Sequence, residues 1–218
     1  MTDIYTDEQR KMQEEFGTQQ LAAVHSAIII TDDIPEDHEA FIASRDFFFL
    51  STVNELGEPT VSYKGGAPGF VQVLDSKTLV FPSYDGNGMF LSMGNIESAK
   101  KIGLLFMDFE TPHRVRVQAS ASLVKEGPLM ESFPGAQMVV RAEVDSVFLN
   151  CGRYIHKHQR LSSSEYVPDA QGNQPFPAWK RIDLIQDALP EADKGRAASG
   201  GGTITAQEYG ERVLRGEP

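Results

Sequence analysis

A chain of 218 residues, 40% of them hydrophobic, can bury one sizeable core, and no composition break before the tail divides it into independent units. Its apolar runs, such as Ala27–Ile30 and Phe47–Leu50, fall far short of the roughly 20 residues of a membrane span, and a formal charge of -11 repels a phosphate backbone, which excludes a spanning helix and general nucleic-acid binding. A single cysteine, Cys151, excludes an internal disulfide and a cysteine-rich metal cluster, and the start Met1–Glu8, neither basic nor apolar, points to a cytoplasmic protein.

From Asp7 to about Ala27 the apolar positions Met12, Phe16, Leu21 and Val24 predict helix, interrupted by Gly17. Asp33-Ile34-Pro35-Glu36-Asp37 starts a short helix that is expected to end near Arg45. The period then changes. Phe47–Val53 reads as a buried strand, Asn54–Pro59 as a turn, and Thr60–Lys64 as a returning strand with Thr60, Ser62 and Lys64 on one face and Val61 and Tyr63 on the other. Gly65–Gly69 breaks this strand, and Phe70–Leu74 with Thr78–Phe81 predicts a second hairpin. Met89, Met93 and Ile96 return to a helical spacing, with a helix expected to begin at Gly88 and Asn87 as its N-cap. Strands follow at Ile102–Phe109 and Arg114–Val124, the latter placing Arg114, Arg116, Gln118, Ser120 and Ser122 on one face, then at Gln137–Val144 and Val147–Leu149. The order predicts an α+β fold, an antiparallel barrel with flanking helices, rather than a parallel sheet. We divide the chain into a helical arm at 1–46, a barrel at 47–161, and a C-terminal arm at 162–218 in which Ala197–Gly202 reads as a flexible linker.

Three segments carry the cations and amides that an anion requires: Ser62 with Lys64, Ser83 through Met89, and Arg116 with Gln118. A helix starting at Gly88 points free N–H groups at a phosphate, and Lys64 and Arg116 supply full charges, so the three are expected to converge on one site. His156 and His158 lack an acidic or cysteine partner at metal spacing, and no metal is expected.

The segments Phe47-Phe48-Phe49-Leu50-Ser51-Thr52, Ser62-Tyr63-Lys64-Gly65-Gly66, Phe81-Pro82-Ser83-Tyr84-Asp85-Gly86-Asn87-Gly88-Met89 and Arg114-Val115-Arg116-Val117-Gln118 resemble the pyridoxamine 5′-phosphate oxidase-like superfamily of FMN-binding split barrels. The resemblance covers about Phe41–Val124. It implies a split β-barrel whose cofactor sites are shared across a homodimer. It also implies a cofactor site at Ser62, Lys64, Asn87, Gly88, Met89 and Gln118, with Arg116 nearby, and Pro82 and Ser83 are added as the residues that lead into that loop. The C-terminal segment around Trp179 and Arg181, an aromatic and cations set in polar sequence, is expected to close the site, covering the ring or meeting substrate. Family members that oxidise pyridoxamine phosphate carry an arginine where this chain has Pro59 and a Ser-Arg-Lys run where it has Gly86-Asn87-Gly88, and their C-terminal Arg-x-His is missing. The expected function is therefore an FMN-dependent oxidoreductase acting on a small molecule other than pyridoxamine phosphate. The alternative is a non-catalytic flavin- or haem-binding protein, with deazaflavin or haem in place of FMN.

Overall fold

A computed structural model of the chain describes residues 4–217, so Met1–Asp3 of the start that the sequence reading used and the terminal Pro218 lie outside it. The chain forms two compact units that divide after Leu161.

In the first unit, helix α1 spans Asp7–Glu15 and opens with a capping box in which Thr6 Oγ1 accepts from the Gln9 N–H and the Gln9 side chain accepts from the Thr6 N–H. Gly17, at φ +63°, turns the chain as the sequence interruption predicts, and α2 spans Gln19–Ile29. The short strand β1 is Ile30–Thr31. Helix α3, Glu36–Ala43, follows an extended Pro35 and carries Glu36, Asp37 and Glu39 in its first turn, where the helix dipole favours acids.

The sheet is built from β2 Phe47–Val53, β3 Pro59–Gly65, β4 Gln72–Asp75, β5 Thr78–Tyr84, β6 Lys101–Asp108, β7 His113–Val124 and β8 Ala136–Asn150. All pairs are antiparallel and run in the order β3-β2-β6-β7-β8-β5-β4, with β1 added to β8. The path ends at β3 and β4 without closing, so the barrel is split. Helix α4, Leu91–Ala99, is inserted between β5 and β6, and the single turn α5, Pro128–Glu131, precedes β8.

Alternation within each strand decides what lies inside. Phe48 and Leu50 of β2, Leu104 and Phe106 of β6, and Val115 and Val117 of β7 are buried on the inner face. Phe48 is the hub of this core, with ring centroids 4.9 Å from Phe81, 5.2 Å from Phe106 and 5.8 Å from Phe70. Gly66 turns the chain beside that cluster because nothing larger fits: an added Cβ would lie 2.4 Å from the Phe70 ring. Strand β5 is buried on both faces, with Leu79 and Phe81 in the main core and Val80 against Phe133 and Val139 in a smaller one. It tolerates Pro82 because β4 pairs with it only as far as Val80, leaving no ladder bond for a proline N–H to make on that side.

Two expectations change. The last strand is one element rather than two, since β8 passes through a bulge at Asp145 between the Gln118–Ser146 and Ala119–Val144 pairs and keeps its hydrogen bonds. Helix α4 begins at Leu91, three residues after Gly88. The Asn87 side chain is used locally, accepting from the Met89 N–H at 3.0 Å, and Gly88 at φ +76° and Phe90 at φ +49° turn left-handed before the helix can start.

Candidate functional site

The inner face of β3 meets the start of α4. Ser62 Oγ lies 2.7 Å from Ser92 Oγ in the first turn of α4, and one turn on, Asn95 donates to Thr52 Oγ1 at 3.0 Å. Because Thr52 pairs with Thr60, the helix runs back along β3 and its N-terminal end faces the Ser62–Lys64 end of the strand. That end is open electrostatically. No side chain caps it, its first turn holds no acid, and the N–H groups of a first turn have no helical acceptor.

Lys64 projects from the same face, two residues beyond Ser62, in the row of buried Phe48 and Phe106. The lysine is half-buried, and its side chain makes no hydrogen bond and no ion pair among the described residues. Burial lowers its pKa below the ordinary lysine value, which marks an ammonium that has lost water without gaining an anion. Ser83 and Pro82 are buried at the end of β5, and Asn87, Gly88 and Met89 are exposed in the loop leading to α4. Met93 is core whereas Met89 is 62% exposed, so the two methionines do not form one stripe.

Arg116 and Gln118 do not join this group within one chain. In the row Tyr63–Phe49–Leu105–Arg116–Phe148 the arginine shares a face with Tyr63, while Lys64 shares the opposite face with Phe48, Phe106 and Val115. The strand parity that placed Arg116 and Gln118 together also places them on the outer side of the sheet. The expected convergence of three segments is therefore corrected to two groups on opposite faces. On the outer face the Arg116 guanidinium lies 5.1 Å from the Phe148 ring centroid, and Gln118 Oε1 accepts from Ser146 Oγ at 3.3 Å. Burial, and then the neighbouring Arg114 charge, lower the pKa of Arg116. Neither arginine has a carboxylate partner among the described residues.

Trp179 and Arg181 lie in the second unit. The 3₁₀ turn Ala178–Arg181 buries Lys180, whose Nζ meets Asp193 Oδ2 at 2.6 Å and faces the Trp179 ring at 5.6 Å. Arg181 Nε donates to the Gly202 carbonyl at 2.8 Å. The Ala197–Gly202 stretch, expected as a flexible linker, is folded against this turn: the Gly202 N–H donates to the Ala197 carbonyl at 2.8 Å, and a Cβ on Gly200 would lie 3.1 Å from the Arg181 side chain. Small residues here allow close approach, a role that composition does not distinguish from a linker. No group of three metal-ligating side chains occurs among the described residues, and none of their helices is long and apolar enough to cross a membrane.

Sequence reasoning missed Ser92, Asn95 and Thr52. The available signal was Ser92 and Asn95 at i, i+3 beside the apolar Met93 and Ile96, polar positions on a helix face that must meet a sheet. It also missed the N-terminal helix α1 as part of a site. Ile4, Tyr5, Gln9, Met12 and Gln13 from that arm join Arg116 and Phe148 in lining a cavity of about 440 Å³.

The sheet order, its open edge and the inserted helix define an α+β antiparallel split barrel. The family model described as Pyridoxamine 5'-phosphate oxidase matches residues 34–159, and the chain belongs to that family. Among solved structures, a putative pyridoxamine 5'-phosphate oxidase from Lactobacillus delbrueckii is 26% identical, with 54% of this chain and 95% of that one covered at a TM-score of 0.44. HupZ from Group A Streptococcus is 21% identical, covering 53% of this chain and 93% of that one at a TM-score of 0.45. An FMN-binding protein from Syntrophomonas wolfei is 13% identical, covering 64% and 97% at a TM-score of 0.42. No curated protein sequence matches the chain.

Proposed function

We propose that the protein is an FMN-dependent oxidoreductase whose substrate is a small molecule other than pyridoxamine phosphate. The observation that carries the reading is Lys64, a half-buried ammonium without a partner among the described residues, on the strand whose Ser62 meets an uncapped helix start. A phosphoryl group fits these residues. It would accept from Lys64, from the Ser62 and Ser92 hydroxyls and from first-turn N–H groups of α4, with Asn87, Gly88 and Met89 bordering it and Ser83 and Pro82 behind. When bound, FMN supplies the hydride and electron chemistry at its ring. The chain's own residues hold the phosphate, orient the cofactor and exclude water on the apolar side.

Arg116 and Gln118, on the other sheet face, reach such a cofactor only from a second copy of the chain, and the reading therefore includes a homodimer. The outer face supports it: Val61 and Tyr63 are 65% and 64% exposed, and Tyr63 stacks on Phe47 at 5.3 Å, an apolar aromatic surface of the kind that subunits cover.

A visible spectrum of the purified protein after incubation with FMN tests the reading. Retained flavin absorbance near one FMN per chain, bleached by a nicotinamide or deazaflavin donor and restored by an acceptor, is the expected result. A haem Soret band in its place, or retained flavin that no donor reduces, would overturn it. A monomer with bound flavin in sedimentation would remove the shared site.

A further inference from the structure

We propose that the strap at residues 151–160, which leaves β8 and runs back along the turn between β6 and β7, binds the diphosphate group of a nucleotide, with Arg153 and Lys157 on the phosphates and Tyr154 against the base. The strap is held at both ends. A Cβ on Gly152 would run into the Pro112 carbonyl, so only glycine lets the chain pass there, and the Ile155 N–H closes a turn onto the Gly152 carbonyl at 2.9 Å. At the far end the His158 N–H donates to the Phe109 carbonyl at 3.1 Å, the His158 ring meets the Phe109 ring edge-on at 5.2 Å, and Arg160 pairs with Asp46. Between these anchors Arg153, Tyr154, His156 and Lys157 are all exposed, Tyr154 at 84%.

Charge sets this strap apart from the rest of the chain. The protein carries 31 acidic residues and a net charge of -11, yet no acid falls between Ser146 and Ser164. Asp46, Asp108 and Glu110, the acids around its far end, are already engaged by Arg160 and Arg45. Arg153 and Lys157 make no ion pair among the described residues. At physiological salt charges are screened beyond about 8 Å, so a small anion responds to these local cations rather than to the charge of the whole chain. The Arg153 guanidinium lies 5.0 Å from the Tyr154 ring centroid, which fixes its plane and leaves its edge N–H groups to fork onto a phosphate. An aromatic ring held in solvent among cations matches a ligand that has both a flat base and phosphates, whereas an acidic peptide has carboxylates and no base to stack. None of these residues belongs to the flavin site, so the inference goes beyond the flavin reading and does not depend on it.

The test titrates the full-length protein with ADP by calorimetry, with adenosine, pyrophosphate and hexaglutamate as comparison ligands. ADP is expected to bind more tightly than any of the three. The double variant Arg153→Gln with Lys157→Gln should weaken ADP at least about tenfold, as one charge-assisted contact provides. Tyr154→Ala should weaken ADP about fivefold or more and leave pyrophosphate unchanged, since only the base stacks. All three positions are exposed, so the melting temperature should not move, and Lys64→Met should leave ADP affinity as it is. NADH binding more tightly than ADP would identify the ligand as a dinucleotide, and equal binding as a free nucleotide. No ADP binding, ADP affinity indifferent to the double variant, hexaglutamate binding as tightly as ADP, or FMN affinity falling together with ADP affinity in the strap variants would overturn the inference. FMN binding without ADP binding would sink this inference alone, and ADP binding without FMN binding would sink the flavin reading alone.

Discussion

Replacing Lys64 by methionine separates a phosphate anchor from a structural lysine. The substitution keeps an unbranched apolar stem in the row of Phe48 and Phe106 and deletes the ammonium. A charge-assisted hydrogen bond contributes about 1.5–3 kcal/mol, and about 1.4 kcal/mol is a tenfold change, so FMN affinity should fall about 10- to 150-fold. Riboflavin, which has the ring and ribityl chain without the phosphate, should lose almost nothing. Flavin fluorescence titration of both ligands against both proteins gives the four constants. Stability supplies the second readout. Lys64 has no partner to lose in the flavin-free protein and its burial opposes its charge, so Lys64→Met should leave the melting temperature unchanged or raise it. Equal losses for FMN and riboflavin, or a clear fall in melting temperature, would refute the argument that this ammonium is kept for a phosphate.

The preference for FMN over riboflavin should depend on pH in two stages. It should rise from about pH 5 to 7 as a phosphomonoester loses its second proton near 6, then fall at alkaline pH below the ordinary lysine range of about 10.4, because burial lowers the Lys64 pKa and the neutral amine no longer attracts the dianion; a flat profile from pH 5 to 10 would contradict it. Gly66→Ala should cost about 1–3 kcal/mol, read from the urea midpoint, since the new methyl would meet the Phe70 ring at 2.4 Å in a packed core. Lys180→Ala leaves the Asp193 carboxylate buried and without its closest cation, a change of about 3–5 kcal/mol, so hydrogen exchange around Ala178–Leu189 should accelerate; unchanged exchange would show that the pair does not hold the second unit.

Much of the architecture is legible in local pattern. Period-two alternation in Thr60–Lys64 and Arg114–Val124 places those strands and also sorts their side chains, since successive residues must face opposite sides of a sheet, whereas Phe47–Val53 is placed by an aromatic and β-branched run that is apolar on both faces. Turn residues mark most breaks for the same local reason, as at Gly17 and Gly65–Gly69. The segments that resemble the family all fall inside the matched region, 34–159. Local pattern was least informative where one side chain had two possible uses: Asn87 reads as a helix cap, yet its carbonyl oxygen serves the Met89 N–H in a turn that delays the helix to Leu91.

Which faces meet is a different kind of information. Alternation says that Ser62 and Lys64 share a side, and that Arg116 and Gln118 share a side, but not whether the two sides are the same. That depends on the register across β3, β2, β6 and β7, a property of long-range pairing, and the register sets them on opposite faces. The cavity beneath α1 depends on where a helix more than a hundred residues earlier comes to rest. Sequence by itself determined most of the strands, their parity and the cations available for anions; only the tertiary structure decided the added strand β1, the continuity of β8 and which of those cations stand together, because contacts between distant segments follow from packing and pairing that no local window contains.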